Sequence, residues 1–278
     1  MSNRESSNHP GRRRMRFLHS SIFGLIWCFC LGLPGASPLA AQQLTYTALG
    51  DSLAFGAFAP LGQGYVPLYR NHLANDTGRE VILINLGVPG WKSQDLRYAL
   101  ETRFFFQLLV WSSDVCTVNI GGNDLRAART AYKSQSCGGV DNQDCLRAAV
   151  TAFQQNWNAI FARILLLRGS RKTLIRTMDI YNPFVEEDKA SDSWSEDPNQ
   201  DDFTVLKFYL EQVNQYIAQT SPNFGAFAEV YQAFNGPAGD DDPADKGLLA
   251  FDGFHADKSG HASMASLLRD LGYAPLLP

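Results

Sequence analysis

Histidine and cysteine are scarce in this chain, five of each among 278 residues, and both shortages narrow the chemistry it can carry. His9 and His19 lie near the N-terminus, as do Cys28 and Cys30, so beyond residue 41 only His72, His255, His261, Cys116, Cys137 and Cys145 remain. Their spacing is not that of a zinc site, which draws on clustered Cys and His ligands. No Gly-Lys-Ser or Gly-Lys-Thr follows a glycine stretch, which excludes a P-loop. Basic charge is also in deficit, with 24 Lys+Arg against 28 Asp+Glu. Without its first 41 residues the chain keeps 19 basic against 27 acidic side chains, a formal charge of −8. That balance excludes a nucleic-acid partner, which needs a basic footprint. With 45% hydrophobic and 19% charged residues the composition is that of a globular chain with one sizeable core. No internal repeat is present.

The N-terminus differs from the rest. Arg12, Arg13, Arg14 and Arg16 precede the apolar run "FLHSSIFGLIWCFCLGLPG", and the small residues "ASPLAAQ" follow it. Basic, apolar and small segments in that order make a secretory signal peptide over 1–41, cleaved near Ala40 or Ala41. A membrane anchor is the competing reading, but the clean run is shorter than the roughly 20 residues a span needs. The mature chain, 42–278, is then secreted or periplasmic, with no stable membrane anchor. In an oxidising compartment Cys137 and Cys145 can staple the loop between them, while Cys116, inside "DVCTVNI", reads as a buried structural thiol.

From Leu44 onward short β-rich runs alternate with longer helical ones. "LTYTAL", "EVILINLG", "SDVCTVNIGG", "KTLIRTMDIY" and "FAEVYQAF" read as strands. "YVPLYRNHLAN", "SQDLRYALE", "DCLRAAVTAFQQNWNAIFARILLLR", "FTVLKFYLEQVNQYIAQT" and "KSGHASMASLLRDLG" read as helices. This alternation predicts an α/β three-layer sandwich, a parallel sheet of about five strands with helices on both faces. The acidic segments 186–202 and 235–247 lack periodicity and read as solvated loops. Calcium ligation and an active-site lid are minority readings for them.

Open parallel sheets place ligands at the carboxyl ends of their strands. Those places hold "GDSLAFG" after the first strand, "NLGVPGW" after the second and "IGGNDL" after the third, with "FDGFHADKSGH" ahead of the last helix. Ser52 is a turn residue or a nucleophile depending on what the other loops supply. Asp252 and His255, three apart, can meet across one turn, and an acid there holds an imidazole in the tautomer a serine needs. Asp51 and Asp124 read as local hydrogen-bonding groups, His72 as a surface helix residue, and His261 as a packing or surface residue of the last helix.

Taken together, Ser52 in "GDSLAFG", Gly87 in "NLGVPG", Asn123 in "GGND" and Asp252 with His255 in "DGFH" resemble the four ordered blocks of the SGNH hydrolases, the GDSL esterase/lipase family. The resemblance runs from Leu44 to the C-terminus and implies an SGNH/flavodoxin-like fold. It implies Ser52 as nucleophile, His255 as general base and Asp252 as its orienting acid. The oxyanion hole would be the N–H groups of Ser52 and Gly87 with the Asn123 amide. The implied activity is carboxylic ester hydrolysis through an acyl-Ser52 intermediate, with no metal and no cofactor. Its substrate is a small-molecule, lipid or carbohydrate ester. Phe55, Trp91 and Phe254, beside these blocks, are the expected substrate-binding aromatics, with Phe58 a further neighbour. A carbohydrate O-acetyl esterase or a lysophospholipase could use the same site, and a non-catalytic carbohydrate- or lipid-binding protein the same fold. An α/β-hydrolase would place its G-x-S-x-G elbow after several strands, and here position 54 is Ala. A metallophosphoesterase needs histidines beside its "GD" and "GN" pieces. Oligomeric state is open.

Overall fold

The computed structural model describes residues 43–194 and 201–277. The expected leader, 1–41, lies outside the described residues, as does the middle of the acidic segment 186–202. The described residues belong to one compact unit.

Five strands, β1 (Leu44–Gly50), β2 (Val81–Gly87), β3 (Val115–Asn119), β4 (Leu174–Met178) and β5 (Ala226–Ala228), form one sheet in the order β2-β1-β3-β4-β5. Every pairing is parallel, so each connection must cross over, and helices supply the crossovers. In chain order the crossover helices are α1 (Ser52–Phe55), α2 (Tyr65–Thr77), α3 (Ser93–Thr102), α4 (Phe104–Ser112), α5 (Gly122–Lys133), α6 (Asp144–Arg168), α7 (Val185–Lys189) and α8 (Asp202–Thr220), and α9 (Val230–Asn235) and α10 (Lys258–Asp270) follow the last strand.

Period-two alternation divides the core between the two faces of the sheet. Cys116 and Val118 of β3 join Leu96 of α3, Trp157, Ile160 and Phe161 of α6 and Val213 of α8 on one face. Tyr46 and Ala48 of β1 join Tyr69 and Leu73 of α2, Phe234 of α9 and Met264 and Leu268 of α10 on the other. Because both faces are covered, β3 and β4 are buried at every residue, the pattern expected of central parallel strands. Helix α6 buries one face from Leu146 to Ile164: Trp157 is fully buried and its indole N–H donates to Thr220 Oγ1 at 3.0 Å.

Cys137 and Cys145 are joined in a disulfide that closes the loop leading into α6, with Cα atoms 4.8 Å apart. Cys116 is a buried free thiol whose pKa burial pushes up to about 12, so it stays protonated and inert.

One expected strand is shorter than its sequence suggested. "FAEVYQAF" keeps β structure only over Ala226–Ala228, and Val230–Asn235 is helix α9. The reason is tertiary: Asp179, just past β4, accepts the Tyr231 N–H at 2.8 Å and so satisfies a donor at the start of the helix. Helices α4 and α5 were not anticipated, since "FFFQLLVWS" is apolar without a clear period and α5 starts within the "GGND" turn.

The order β2-β1-β3 reverses direction across β1, which opens a crevice at the carboxyl ends of β1 and β3. Gly50, the last residue of β1, is in register with Gly87 of β2 and Asn119 of β3. Three of the four polar blocks therefore leave the sheet at the same level.

Candidate active site

Ser52 is the first residue of α1, immediately after β1. Asp51 caps that helix, its Oδ1 accepting the Leu53 N–H at 3.0 Å, and Gly56 ends it in a left-handed conformation (φ 89°). A one-turn helix held at both ends presents the Ser52 hydroxyl in a fixed direction. As the first helical residue, Ser52 also has a backbone N–H that no intrahelical carbonyl takes.

His255 comes from an irregular segment 203 residues later in the chain, and several contacts fix it there. An antiparallel bridge joins Leu249 and Ala256, the Ala250 N–H donates to the His255 carbonyl at 2.8 Å, and the Tyr181 hydroxyl donates to the Phe254 carbonyl at 2.9 Å. Asp252 Oδ1 accepts the N–H groups of Phe254 and His255 at 3.1 and 3.0 Å. Its Oδ2 lies 2.6 Å from His255 Nδ1, and His255 Nε2 lies 2.9 Å from Ser52 Oγ. With a carboxylate on Nδ1, the imidazole presents its unprotonated Nε2 to the hydroxyl, which is the arrangement for taking the serine proton.

Partial burial works against the Asp252 charge, but the hydrogen bonds from His255 and from the two N–H groups outweigh it, holding the carboxyl below its usual range. Asp51 has the opposite environment. Burial, with Asp124 as a nearby like charge, raises it to about 7 despite the Leu53 hydrogen bond. Asp124 accepts the Ser93 N–H at 2.9 Å and the Ser93 hydroxyl at 2.6 Å, tying α5 to α3.

Asn123 is at the start of α5. Its amide donates to the Trp91 carbonyl at 3.0 Å and approaches Asp51 Oδ2 at 3.5 Å, which sets the orientation of its N–H groups. At Gly87 a Cβ would run into the Phe55 nitrogen and lie 2.7 Å from the Ala54 carbonyl carbon, so only glycine lets β2 end this close to α1. The Gly87 N–H donates to Asn85 Oδ1 at 2.9 Å, and Asn85 Nδ2 donates to the Ala54 carbonyl at 2.7 Å. An incoming oxyanion would share that N–H with Asn85.

Ser52, Asn123 and His255 open into a cavity of about 880 Å³, part of it open solvent. Its lining includes the alkyl side chains of Ile120, Leu125, Leu146, Ile180, Leu206 and Leu210 alongside the charged Arg126, Arg129, Asp179 and Asp188. Of the three aromatics expected at the substrate, Phe254 lines this cavity and Phe55 and Trp91 do not. Phe55 is 59% exposed on α1. The Trp91 ring packs on Phe106 with Arg103 over it, and Trp91 reaches the site through its carbonyl. Phe58 lies closer, its ring stacked on the His255 imidazole at 4.7 Å in a left-handed backbone conformation (φ 63°) uncommon for a bulky residue. His261 is wholly buried, takes the Tyr65 N–H on Nδ1 at 3.2 Å and lies 3.2 Å from the Ala57 carbonyl through Nε2, so it supports the loop after α1.

Asn85, Tyr181 and Asp179 escaped the sequence reading. Asn85 carried a signal, as a polar residue inside the apolar strand "EVILINLG". Tyr181 and Asp179 carried none, because their partners are 73 and 52 residues away.

A family model for the GDSL-like lipase/acylhydrolase family matches residues 48–262. The spore germination lipase of Bacillus licheniformis is 28% identical over 238 residues, covering 84% of this chain and 99% of that protein. A lipase from the goat rumen metagenome has a crystal structure that superposes with a TM-score of 0.69 at 25% identity, covering 84% of this chain and 99% of that one. An acetylxylan esterase from Geobacillus stearothermophilus shares the fold, with a TM-score of 0.54 at 20% identity over 83% of this chain and 94% of its own.

Proposed function

The chain belongs to the GDSL-like lipase/acylhydrolase family and is a carboxylic ester hydrolase, and from that premise we propose that it is a secreted enzyme that cleaves esters of apolar acyl chains through an acyl-Ser52 intermediate. The observation that carries the proposal is the hydrogen-bond chain from Asp252 through His255 to Ser52, opening into an apolar cavity.

In the first half-reaction Ser52 Oγ attacks the ester carbonyl carbon while His255 Nε2 takes the hydroxyl proton. Asp252 stabilises the imidazolium that forms. The negative charge on the carbonyl oxygen falls to the Ser52 and Gly87 N–H groups and the Asn123 amide, the last two shared with their present acceptors Asn85 and the Trp91 carbonyl. As the tetrahedral intermediate collapses, His255 returns the proton to the leaving alkoxide, and the alcohol departs from acyl-Ser52. Water repeats the sequence with His255 as base, releasing the acid and restoring the serine.

The leucine and isoleucine side chains that line the cavity with Asn123 suit an alkyl chain better than an acetyl group, because each methylene buried there contributes roughly 0.8 kcal/mol. Secretion rests on the basic-apolar-small order of residues 1–41 and fits the disulfide.

The test is hydrolysis of nitrophenyl esters from acetyl to long acyl chains, plus an acetylated sugar, by the mature protein and Ser52→Ala. Serine-dependent turnover that rises with chain length is expected. A preference for acetyl groups or the sugar would replace the acyl-chain reading with a deacetylase. A folded wild type with no turnover on any of them would sink the acyl-Ser52 mechanism.

A further inference from the structure

Resting on the ester-hydrolase reading above, a further residue emerges from the charges lining the cavity. Almost all of these are committed. Asp51 takes the Leu53 N–H and Asp179 the Tyr231 N–H. Arg129 is paired with Asp188 at 2.6 Å and with Glu187 at 2.7 Å, and Lys133 joins it on Asp188 at 3.0 Å. Arg126 is the exception: it lines the same cavity, yet among the described residues no carboxylate lies within ion-pair distance of it.

Its position is defined all the same. The guanidinium lies 4.4 Å from the centroid of the Phe254 ring, and Phe254 stacks on Phe184 on one side and meets the His255 ring edge-to-face on the other. An arginine seated on an aromatic face keeps its in-plane N–H donors free at the edge. Arg126 is also three residues after Asn123 on α5, so the two side chains share a helix face about one turn apart. Asn123, Ser52 and the alkyl side chains line the same cavity as Arg126, and Arg126 is the solvent-exposed member of that set. An acyl chain laid against those alkyl side chains would leave the alcohol half of the ester on the exposed side, where Arg126 stands.

We propose that Arg126 is a specificity-determining residue that recognises an anionic oxygen group, a phosphodiester or a carboxylate, on the alcohol half of the ester. An unpaired guanidinium with five donors fits either group through two parallel hydrogen bonds. In a chain of net charge −4, an unneutralised cation at the site entrance offsets the general repulsion of anionic substrates.

The test uses three hexanoyl esters, short enough to compare as monomers: hexanoylglycerol, hexanoylglycerophosphoglycerol and a hexanoyl ester of glyceric acid. Wild type, Arg126→Ala, Arg126→Lys and Ser52→Ala are compared by kcat and KM. For the anionic esters Arg126→Ala is expected to lose about 10- to 100-fold in kcat/KM. That loss should appear mainly in KM, with hexanoylglycerol unchanged, Arg126→Lys partly restoring it, and added salt shrinking it. Dependence on Arg126 for one anionic ester alone identifies which anion is read, and dependence for both identifies oxyanions in general. Equal kcat/KM ratios between anionic and neutral esters in wild type and Arg126→Ala would overturn the inference, as would equal losses on all three esters. Absence of Ser52-dependent turnover of hexanoylglycerol by wild type strikes instead at the ester-hydrolase reading beneath it.

Discussion

The turn after β1 and the turn before α10 each place an aspartate next to a side chain of the site, and their environments are opposite. Asp51 is buried, caps α1 and is raised to about 7, whereas Asp252 is part-exposed, accepts three hydrogen bonds and is held below its usual range. Adjacency in sequence to Ser52 would favour Asp51 as its helper. Yet the imidazole that reaches Ser52 is bonded to Asp252, and Asp51 spends its carboxylate on the backbone of the turn it shapes. Which carboxylate serves a serine is decided by hydrogen-bond geometry and solvation.

Breaking each turn in kind sharpens that difference. His255→Ala removes the imidazole bonded to Ser52 and is expected to cost about 10⁶-fold in kcat, as loss of the base does in serine proteases. Asp252→Asn leaves a group of the same shape with the wrong donor on Nδ1, for which about 10⁴-fold is expected. Steady-state hydrolysis of a nitrophenyl ester measures both; an Asp252→Asn variant with full activity would remove Asp252 from the orienting role.

A smaller loss is expected from the donor side. Asn123→Ala should lower kcat by about 10²- to 10³-fold with KM little changed, because its amide acts on charge present only in the transition state. Unaltered kcat in a folded variant would mean that the Ser52 and Gly87 N–H groups suffice.

The smallest effect on rate, and the clearest on stability, belongs to Asp51→Asn. Asparagine caps a helix as well as aspartate does, so α1 should persist. Folded Asp51 titrates at about 7 against an ordinary 3.8, so between these values the native state holds a proton that the unfolded chain releases. Its contribution to stability therefore falls as pH rises through that window and is flat above it. Urea unfolding at pH 5 and pH 8 should show wild type losing more stability than Asp51→Asn over that interval. Asp179, also raised to about 7, contributes the same slope to both proteins and cancels. Asp252 has the reverse sign: its contribution is present above the ordinary carboxylate range and is lost as pH falls through its depressed folded value. Identical slopes in wild type and Asp51→Asn would show that the Asp51 carboxyl is ionised in the folded state.

Local periodicity and residue order made much of the molecule legible. The run "EVILINLG" reads as a buried strand and does form β2, but as the edge strand of the sheet it buries only Val81, whereas α6 buries one face from Leu146 to Ile164. Ser52, Gly87, Asn123, Asp252 and His255 stand out because each lies in a short polar or glycine-rich block between such elements. What pattern could not carry was anything decided by a distant partner. Val230–Asn235 has a β-rich composition and is helical because Asp179 takes the Tyr231 N–H. Arg176 is buried mid-strand in β4 because its guanidinium reaches the carbonyl of Gly272 at 2.9 Å, 96 residues on. Phe55 and Trp91 border the right blocks but are not among the residues that line the cavity, whereas Arg126 borders none of the expected aromatics in sequence and rests on Phe254 in space. Sequence by itself determined the alternation of elements and the order of the polar blocks, since backbone preference and burial period act over a few residues. Tertiary structure alone decided how closely the Asp252–His255 pair approaches Ser52 and which cation stands without a carboxylate beside the cavity, because those depend on side chains brought together from segments far apart in the chain.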